Sequence, residues 1–135
     1  MEFILYTDGG ARNNPGPAGA GFVIQGKKGE IVATGKKYLG ERTNNEAEYE
    51  ALILGLKKAL ELEIKEIQVL MDSELVVRQM NRDYKVKDLE LSKLFLKVWN
   101  LAGQFKKISY QHIPREKNTL ADGLVNEVID EGLEA

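Results

Sequence analysis

The sequence contains no cysteine, one histidine and one tryptophan. Without cysteine, disulfide bonds and thiolate metal sites are excluded, which favours a reducing setting, and we expect a cytoplasmic protein. Zinc, which prefers cysteine and histidine ligands, matches this composition poorly. Residues 1–20 lack the basic and then apolar order of a signal peptide, and no apolar run is long enough to cross a bilayer. We therefore expect no membrane association.

An excess of positive charge is also missing. The formal net charge is −2, from 19 Lys+Arg and 21 Asp+Glu. Binding to nucleic acid would therefore need a local basic patch beside local acid. The 135 residues are 43% hydrophobic and 30% charged, which predicts one folded domain spanning residues 1–135. We expect it to be a monomer.

Hydrophobic patterns and turn residues divide the chain into strands, helices and loops. Strands are predicted at EFILYT (2–7), GFVIQ (21–25), EIVATGKKYLG (30–40), EIQVLMD (66–72) and KKISYQHI (106–113). Helices are predicted at 45–63, 73–81, 89–105 and 119–132, the last fraying near Gly132. The glycine- and proline-rich stretch 8–21 is predicted to be a turn region, and 82–88 a polar loop.

The element order β-β-β-α-β-α-α-β-α predicts an α/β domain with a five-stranded mixed sheet flanked by helices. The first three strands are joined by short turns, so we expect an antiparallel meander. The last two strands each follow a helix. Right-handed crossovers then predict that both are parallel to their neighbours.

Three glutamates stand at alternate positions near the start of the helix 45–63: Glu46, Glu48 and Glu50. At about 100° per residue, Glu48 lies at the centre of the apolar face, together with Leu52 and Leu56. Glu46 and Glu50 are predicted on the solvated face. A carboxylate aimed at a core needs partners, or it takes up a proton. Glu48 is thus either held by backbone amides at the helix start or functional, and the pattern alone leaves both open.

Three aspartates stand at the ends or starts of elements. Asp8 and Asp72 each follow a predicted strand, and Asp122 lies in the first turn of the last helix. Each has an ordinary structural role available: an Asx-turn for Asp8, a helix cap for Asp72 or Ser73, and a favourable helix dipole for Asp122. Several acids near one edge of a sheet repel each other unless cations lie between them. Oxygen ligands of this kind suit Mg²⁺ or Mn²⁺, and two such ions form a clamp for attack on a phosphodiester.

Four motifs carry a family resemblance. YTDGGARNNPGPAGAG, TNNEAEYEAL, MDSELV and HIPREKNTLAD, spread from about Phe3 to Asn126, resemble the type 1 ribonuclease H family. The resemblance implies a ribonuclease H-like fold and an endonuclease that hydrolyses the RNA strand of RNA–DNA hybrids. It also implies two divalent ions and products with 5′-phosphate and 3′-hydroxyl ends. By motif, the catalytic and metal-binding quartet is Asp8, Glu48, Asp72 and Asp122, with His112 in an auxiliary role in proton transfer or product release.

The same resemblance names residues that bind the hybrid: Asn14, Gly16, Asn44 and Asn45, with Ser73 and Asn118 as further candidates. Asparagine both donates and accepts hydrogen bonds, as does the 2′-hydroxyl that distinguishes RNA from DNA. Helix capping is the ordinary interpretation of Asn44 and Asn45. Lys85 and Lys87 either meet phosphates or are simply solvated. Trp99, within a predicted helix, is predicted to be a core residue.

Two other functions are compatible with the fold. One is a nucleic-acid-binding module that does not cleave, although binding alone does not require four acids. The other is a DNA resolvase or integrase-type nuclease, which would not need the NNPG and TNN motifs. Activity on double-stranded RNA and the choice between Mg²⁺ and Mn²⁺ are open at this stage.

Overall fold

The computed structural model describes residues 2–135. The strands are β1 (Phe3–Ala11), β2 (Gly16–Gln25), β3 (Ile31–Arg42), β4 (Glu66–Met71) and β5 (Lys107–His112). The α-helices are α1 (Asn44–Glu61), α2 (Glu74–Met80), α3 (Leu89–Ala102) and α4 (Thr119–Glu134). A short 3-10 turn at Arg115–Lys117 precedes α4. Within this described part of the chain, no helix has the length and apolar character needed to span a membrane.

One five-stranded sheet runs through the molecule in the order β3-β2-β1-β4-β5. β2 is antiparallel to both β1 and β3, whereas β4 is parallel to both β1 and β5. The predicted mixed sheet and element order are therefore confirmed. Thr7 of β1 pairs with Met71 of β4. The residues that follow them, Asp8 and Asp72, therefore lie side by side towards the carboxyl ends of these two parallel strands.

The glycine-rich stretch predicted as a turn is mostly strand. β1 continues to Ala11 and β2 begins at Gly16, which leaves only residues 12–15 between them. The prediction was wrong because these glycines serve close packing rather than turning. A Cβ at Gly9 would lie 2.2 Å from the Ala47 carbonyl oxygen of α1, and one at Gly21 would lie 2.9 Å from Leu124 Cβ of α4.

These two contacts also show that the helices cover opposite faces of the sheet. Gly9 and Gly21 have opposite parity in the β1–β2 register, since Gly9 pairs with Ala20 and Asp8 with Gly21. α1 therefore lies over one face and α4 over the other. The main core fills the α1 side and contains large, fully buried side chains: Leu5, Ile24, Tyr49, Leu52, Leu56, Ile67 and Val69.

The start of α1 corrects two predictions about its polar residues. The N-cap is Thr43, not Asn44 or Asn45, and Glu46 completes a capping box by accepting a hydrogen bond from Thr43 N–H at 2.9 Å. Glu46 and Glu50 are half-buried rather than solvated. The Glu50 side chain is only 19% exposed and lies 3.8 Å from Arg42. The prediction that Glu48 faces the core and that Glu46 and Glu50 face away from it was right. β3 and α3 contact α1, however, and reduce the part of its surface that is exposed to solvent.

Two further predictions were wrong. α4 continues to Glu134 without fraying at Gly132, because the Tyr38 ring of β3 lies against that glycine, 2.3 Å from where a Cβ would stand. Trp99 is not a core residue, since 46% of it is exposed. Its ring stacks on Phe95, one turn earlier on α3, with the ring centroids 5.8 Å apart. The outcome at Gly132 depends on a ring that is remote in sequence. The outcome at Trp99 depends on its place on the outer face of α3.

Candidate active site

The four predicted acids line one cavity at the carboxyl end of β1 and β4. It encloses about 470 Å³. Its walls come from the end of β1, the start of α1, the loop after β4, the 3-10 turn and the first three turns of α4. Besides Asp8, Glu48, Asp72 and Asp122, the lining polar residues are Arg12, Asn44, Asn45, Ser73, Arg115 and Asn126.

Glu48 is held at the floor of this cavity by α1. It is 6% exposed, and its Oε1 accepts a hydrogen bond from the backbone N–H of Gly9. Only a glycine at position 9 allows α1 to come this close, as the contact with Ala47 shows. The bond therefore fixes the Glu48 carboxylate directly beside Asp8, which is itself 8% exposed.

Three carboxylates converge in this floor. Asp8, Glu48 and Asp72 each offer an oxygen, and these oxygens all lie within 4.8 Å of one another. Asp122 lies at the rim, with 31% of its side chain exposed and its Oδ1 3.7 Å from Nη2 of Arg115. Asn126, one turn further along α4, donates a hydrogen bond to the Asp122 backbone carbonyl at 3.2 Å.

Crowding and burial make the ionised forms of these acids costly. Burial first, and then the charges of Asp72 and Asp122, raise the pKa of Asp8 from 3.8 to about 8. Burial and the charge of Asp8 raise the pKa of Glu48 well above its ordinary value. Burial likewise raises the pKa of Asp72, although a hydrogen bond with Asp8 and the charge of Arg115 lower it. Without a metal ion, these carboxyl groups therefore tend to stay protonated. A bound cation would instead stabilise their ionised forms.

This donor set fits a hard divalent cation. Its ligand atoms are carboxylate oxygens, which Mg²⁺ and Mn²⁺ prefer, and sulfur and imidazole are absent from the cavity lining. Among residues 2–135, no lysine or arginine forms an ion pair with Asp8, Glu48 or Asp72. Three converging carboxylates without a basic partner are the arrangement that a divalent ion neutralises.

Several predicted substrate residues surround the same cavity. Asn44, Asn45 and Ser73 line it. Ser73 also caps α2 by accepting a hydrogen bond from Val76 N–H at 3.3 Å. Asn44 connects three elements: its Oδ1 accepts from Ala11 N–H at 2.8 Å, and its own N–H donates to Asn14 Oδ1 at 2.9 Å. The two asparagines thereby anchor the β1–β2 turn to the start of α1.

Other predicted residues lie outside the cavity lining. Asn14 and His112 are exposed; His112 ends β5, paired with Met71. Gly16 is buried at the start of β2, where a Cβ would lie 1.9 Å from the Arg12 carbonyl oxygen. Asn118 is 1% exposed and donates a hydrogen bond to the Thr7 carbonyl at 2.8 Å, one residue before Asp8. At this position Asn118 stabilises β1 through its hydrogen bond and does not reach a ligand in the cavity.

The two basic residues of the cavity were missed by the sequence analysis. Arg12 and Arg115 are the cations of the lining. Arg12 is paired with Asp130 of α4, whereas Arg115 is 78% exposed and lies beside Asp122. Both stand inside the motifs DGGARNNPG and HIPREKN, so the signal was present. Nothing in those motifs indicated that Arg12 lines the cavity or that Arg115 lies beside Asp122.

Comparison with known proteins identifies the fold. The sheet order and the acidic cavity define a ribonuclease H-like α/β protein. A family model described as reverse transcriptase-like matches residues 6–128. The chain is 48% identical to LC11-RNase H1, isolated from compost and solved in complex with an RNA/DNA hybrid, with a TM-score of 0.93 over 98% of this chain and 99% of that one. The chain belongs to the ribonuclease H family.

Two curated relatives support the same assignment. Ribonuclease HI of Halobacterium salinarum is 39% identical over 126 residues, covering 93% of this chain and 63% of that protein. The bifunctional protein Rv2228c of Mycobacterium tuberculosis is 46% identical over 131 residues, covering 96% of this chain. The chain spans only 36% of the length of that mycobacterial relative.

Proposed function

We propose that this chain is an endoribonuclease that hydrolyses the RNA strand of RNA–DNA hybrids and leaves 5′-phosphate and 3′-hydroxyl ends. The observation that carries the proposal is the convergence of Asp8, Glu48 and Asp72, whose carboxylate oxygens all lie within 4.8 Å of one another. The similarity to LC11-RNase H1, whose solved complex contains an RNA/DNA hybrid, supports the choice of substrate.

Asp8, Glu48 and Asp72 would hold divalent cations, with Asp122 at the rim as the fourth ligand. A pair of Mg²⁺ or Mn²⁺ ions would supply an activated water and neutralise charge on the leaving 3′ oxygen. The chain's own contribution is to place the ligands. Gly9 holds Glu48 against β1, and the paired ends of β1 and β4 set the spacing between Asp8 and Asp72.

The rim of the cavity supplies polar groups for the substrate. Asn45, Ser73 and the side-chain amide of Asn44 lie at its edge, where hydrogen bonds to 2′-hydroxyl groups would select RNA over DNA. Arg115, 78% exposed beside Asp122, is positioned to contact a phosphate. The hydroxyl and amide groups of this rim support a hybrid, rather than a DNA duplex, as the proposed substrate. Action as a monomer in the cytoplasm stays a prediction.

The test is cleavage of a labelled RNA–DNA hybrid, in parallel with double-stranded RNA and double-stranded DNA, with Mg²⁺, with Mn²⁺ and with EDTA. We expect metal-dependent cleavage of the RNA strand of the hybrid and none with EDTA. End analysis of the fragments checks the 5′-phosphate. Asp8→Asn is the inactive control. Binding of the hybrid without cleavage in either metal would support a non-cleaving module, and cleavage of DNA alone would support a resolvase-type nuclease.

A further inference from the structure

A second cavity, of about 390 Å³, lies at the far end of α2 and shares no lining residue with the acidic cavity. Its walls come from the end of α2, the loop that follows it and one side of α3. Arg82, Tyr84, Lys85, Val86, Phe95 and Leu96 are among its lining residues, and none of the lining residues is acidic. The lining therefore holds two cations and two aromatic rings, while the exposed Asp83 of the same loop lies outside it.

The guanidinium of Arg82 covers a pair of stacked rings on α3. Its central carbon lies 5.9 Å from the Phe95 ring centroid and 5.5 Å from the Trp99 ring centroid. The two rings are inclined by 23° to each other. A guanidinium at this distance is attracted to the ring faces. Within residues 2–135, Arg82 forms no ion pair with an acid, so these rings are the contacts that hold its charged group.

The backbone at Arg82 is shaped for a different residue. Its φ is +67°, in the left-handed region that glycine favours. Arg82 N–H donates to the Gln79 carbonyl at 3.1 Å and Asp83 N–H donates to the Arg78 carbonyl at 2.8 Å, which is the Schellman pattern at the end of α2. An arginine is less favourable than glycine in this backbone conformation. We therefore look to the Arg82 side chain for the role of this residue.

Three large apolar side chains at or beside this cavity are exposed, whereas Phe95 is half-buried. Trp99 is 46% exposed, Tyr84 is 47% exposed, and Leu96 is 57% exposed. A second arginine, Arg78, lies over the Tyr84 ring at 5.3 Å. We call Arg82, Tyr84, Lys85, Phe95 and Trp99 the aromatic–arginine surface. Arg78 is paired with Glu74, whereas Arg82 and Lys85 line the cavity without an acid beside them in the lining. Ring faces and guanidinium planes beside such cations form a platform on which unpaired bases stack.

We propose that the aromatic–arginine surface binds unpaired nucleotides of single-stranded RNA or DNA by base stacking. The absence of acidic lining residues favours a polyanion over a protein partner. α2 connects the two cavities, since Ser73 lines the first and Arg82 the second. At 1.5 Å per residue, these ends are about 13 Å apart, a length that about four nucleotides span at roughly 3.4 Å each. Resting on the proposed function, the inference extends the substrate class to hybrids with a single-stranded extension.

Trp99 makes the surface directly observable, because it is the only tryptophan in the sequence. The probes are oligothymidylate and oligouridylate of about twelve nucleotides. Each is titrated against the full chain in EDTA, which prevents cleavage, while Trp99 fluorescence is recorded. We expect saturable quenching by both probes. Quenching by neither probe, at concentrations where the blunt hybrid binds, would overturn the proposal.

The matched variants separate stacking from general charge. Arg82→Gly suits the left-handed backbone and so preserves the end of α2, but it removes the guanidinium. Arg82→Lys keeps the charge and loses the planar group. Lys97→Ala removes a different exposed cation from α3, outside the cavity lining. We expect both Arg82 variants to weaken oligonucleotide binding by roughly tenfold and Lys97→Ala to change it by less than about twofold.

Equal losses in Arg82→Gly and Lys97→Ala would reduce the effect to unspecific electrostatic attraction and refute stacking. Full binding by Arg82→Lys would refute it as well. The proposed function is judged separately, by metal-dependent cleavage of a blunt hybrid. Cleavage without oligonucleotide binding would remove only this inference, whereas oligonucleotide binding without cleavage would remove only the proposed activity.

Discussion

The backbone N–H of Gly9 donates a hydrogen bond to the carboxylate of Glu48 across 39 positions of sequence. This bond joins the end of the central strand β1 to the second turn of α1. It exists because no side chain separates Gly9 from the Ala47 carbonyl. The geometry of the acids therefore depends on how closely α1 packs against β1.

The three glutamates of TNNEAEYE have different roles, so their amide variants should differ. Glu48→Gln should reduce hybrid cleavage by more than about a hundredfold, because it removes a proposed metal ligand. Glu46→Gln should retain most of the activity, since a glutamine oxygen can still accept the Thr43 N–H. Glu50→Gln loses only a 3.8 Å contact with Arg42 and should do the same. Comparable losses in all three variants would contradict the observed phase of α1.

The metal-free protein should lose stability as pH rises. In the folded chain Asp8 keeps its proton up to about pH 8, whereas its ordinary pKa is 3.8. Between these values the folded state binds more protons than the unfolded state, so the free energy of unfolding falls with increasing pH. The stabilisation is complete below the ordinary value and is lost as pH passes through about 8.

Asp8→Asn cannot ionise, so in EDTA it should be more stable than the parent by about 1–3 kcal/mol near pH 8.5 and similar to it near pH 4. Urea denaturation at several pH values measures this. Glu2→Gln, an exposed acid far from the cavity, should leave the pH slope unchanged. Added Mg²⁺ should stabilise the parent and not Asp8→Asn. A parent whose stability in EDTA rises between about pH 5 and 8 would show that the sign is wrong.

Gly9→Ala tests the close approach of α1 to β1. Its Cβ would stand 2.2 Å from the Ala47 carbonyl oxygen, so the helix must move. We expect a loss of about 3 kcal/mol in the free energy of unfolding and a loss of cleavage, as Glu48 moves with the helix. Gly123→Ala is the matched control. Position 123 is exposed and its Cβ would meet nothing within 4 Å, so this variant should stabilise the protein by up to about 1 kcal/mol. Thermal unfolding compares the two.

His112→Ala should slow cleavage by about 10- to 100-fold without abolishing it. The structure leaves His112 exposed at the end of β5 and outside the acidic lining, which suits an auxiliary role in proton transfer or product release. Single-turnover and steady-state rates on the same hybrid distinguish these two steps. A loss as deep as that of Asp8→Asn would place His112 among the essential groups instead.

Local patterns were enough to predict the element order, the mixed sheet and the position of Glu48 on the buried face of α1. Glu48 could be found because a helix has a fixed angular repeat, and its buried neighbours Leu52 and Leu56 share its phase. The capping box was also legible, since Thr43 and Glu46 stand in the S/T-x-x-E pattern. It was overlooked in favour of the two asparagines between them.

The remaining features depend on partners that lie far away in sequence. The glycines of β1 and β2 looked like turn residues because nothing local shows that α1 and α4 press against them. Asn118 was assigned to substrate binding by its motif, yet in the structure its side chain donates a hydrogen bond to the carbonyl of Thr7, 111 positions earlier. Arg115 reaches the acids only because the turn before α4 brings it beside Asp122. Each case is a tertiary contact without a local signature.

The strand order has a consequence for how the molecule opens. β1 and β4, which lead into Asp8 and Asp72, are interior strands, whereas β3 and β5 form the two edges. Amide hydrogens of interior strands exchange with solvent only through the largest openings of a protein, while edge strands and terminal helices exchange through small ones. We expect hydrogen exchange to be slowest along β1. Transient detachment of α4 would then remove Asp122 alone and leave the other three acids assembled.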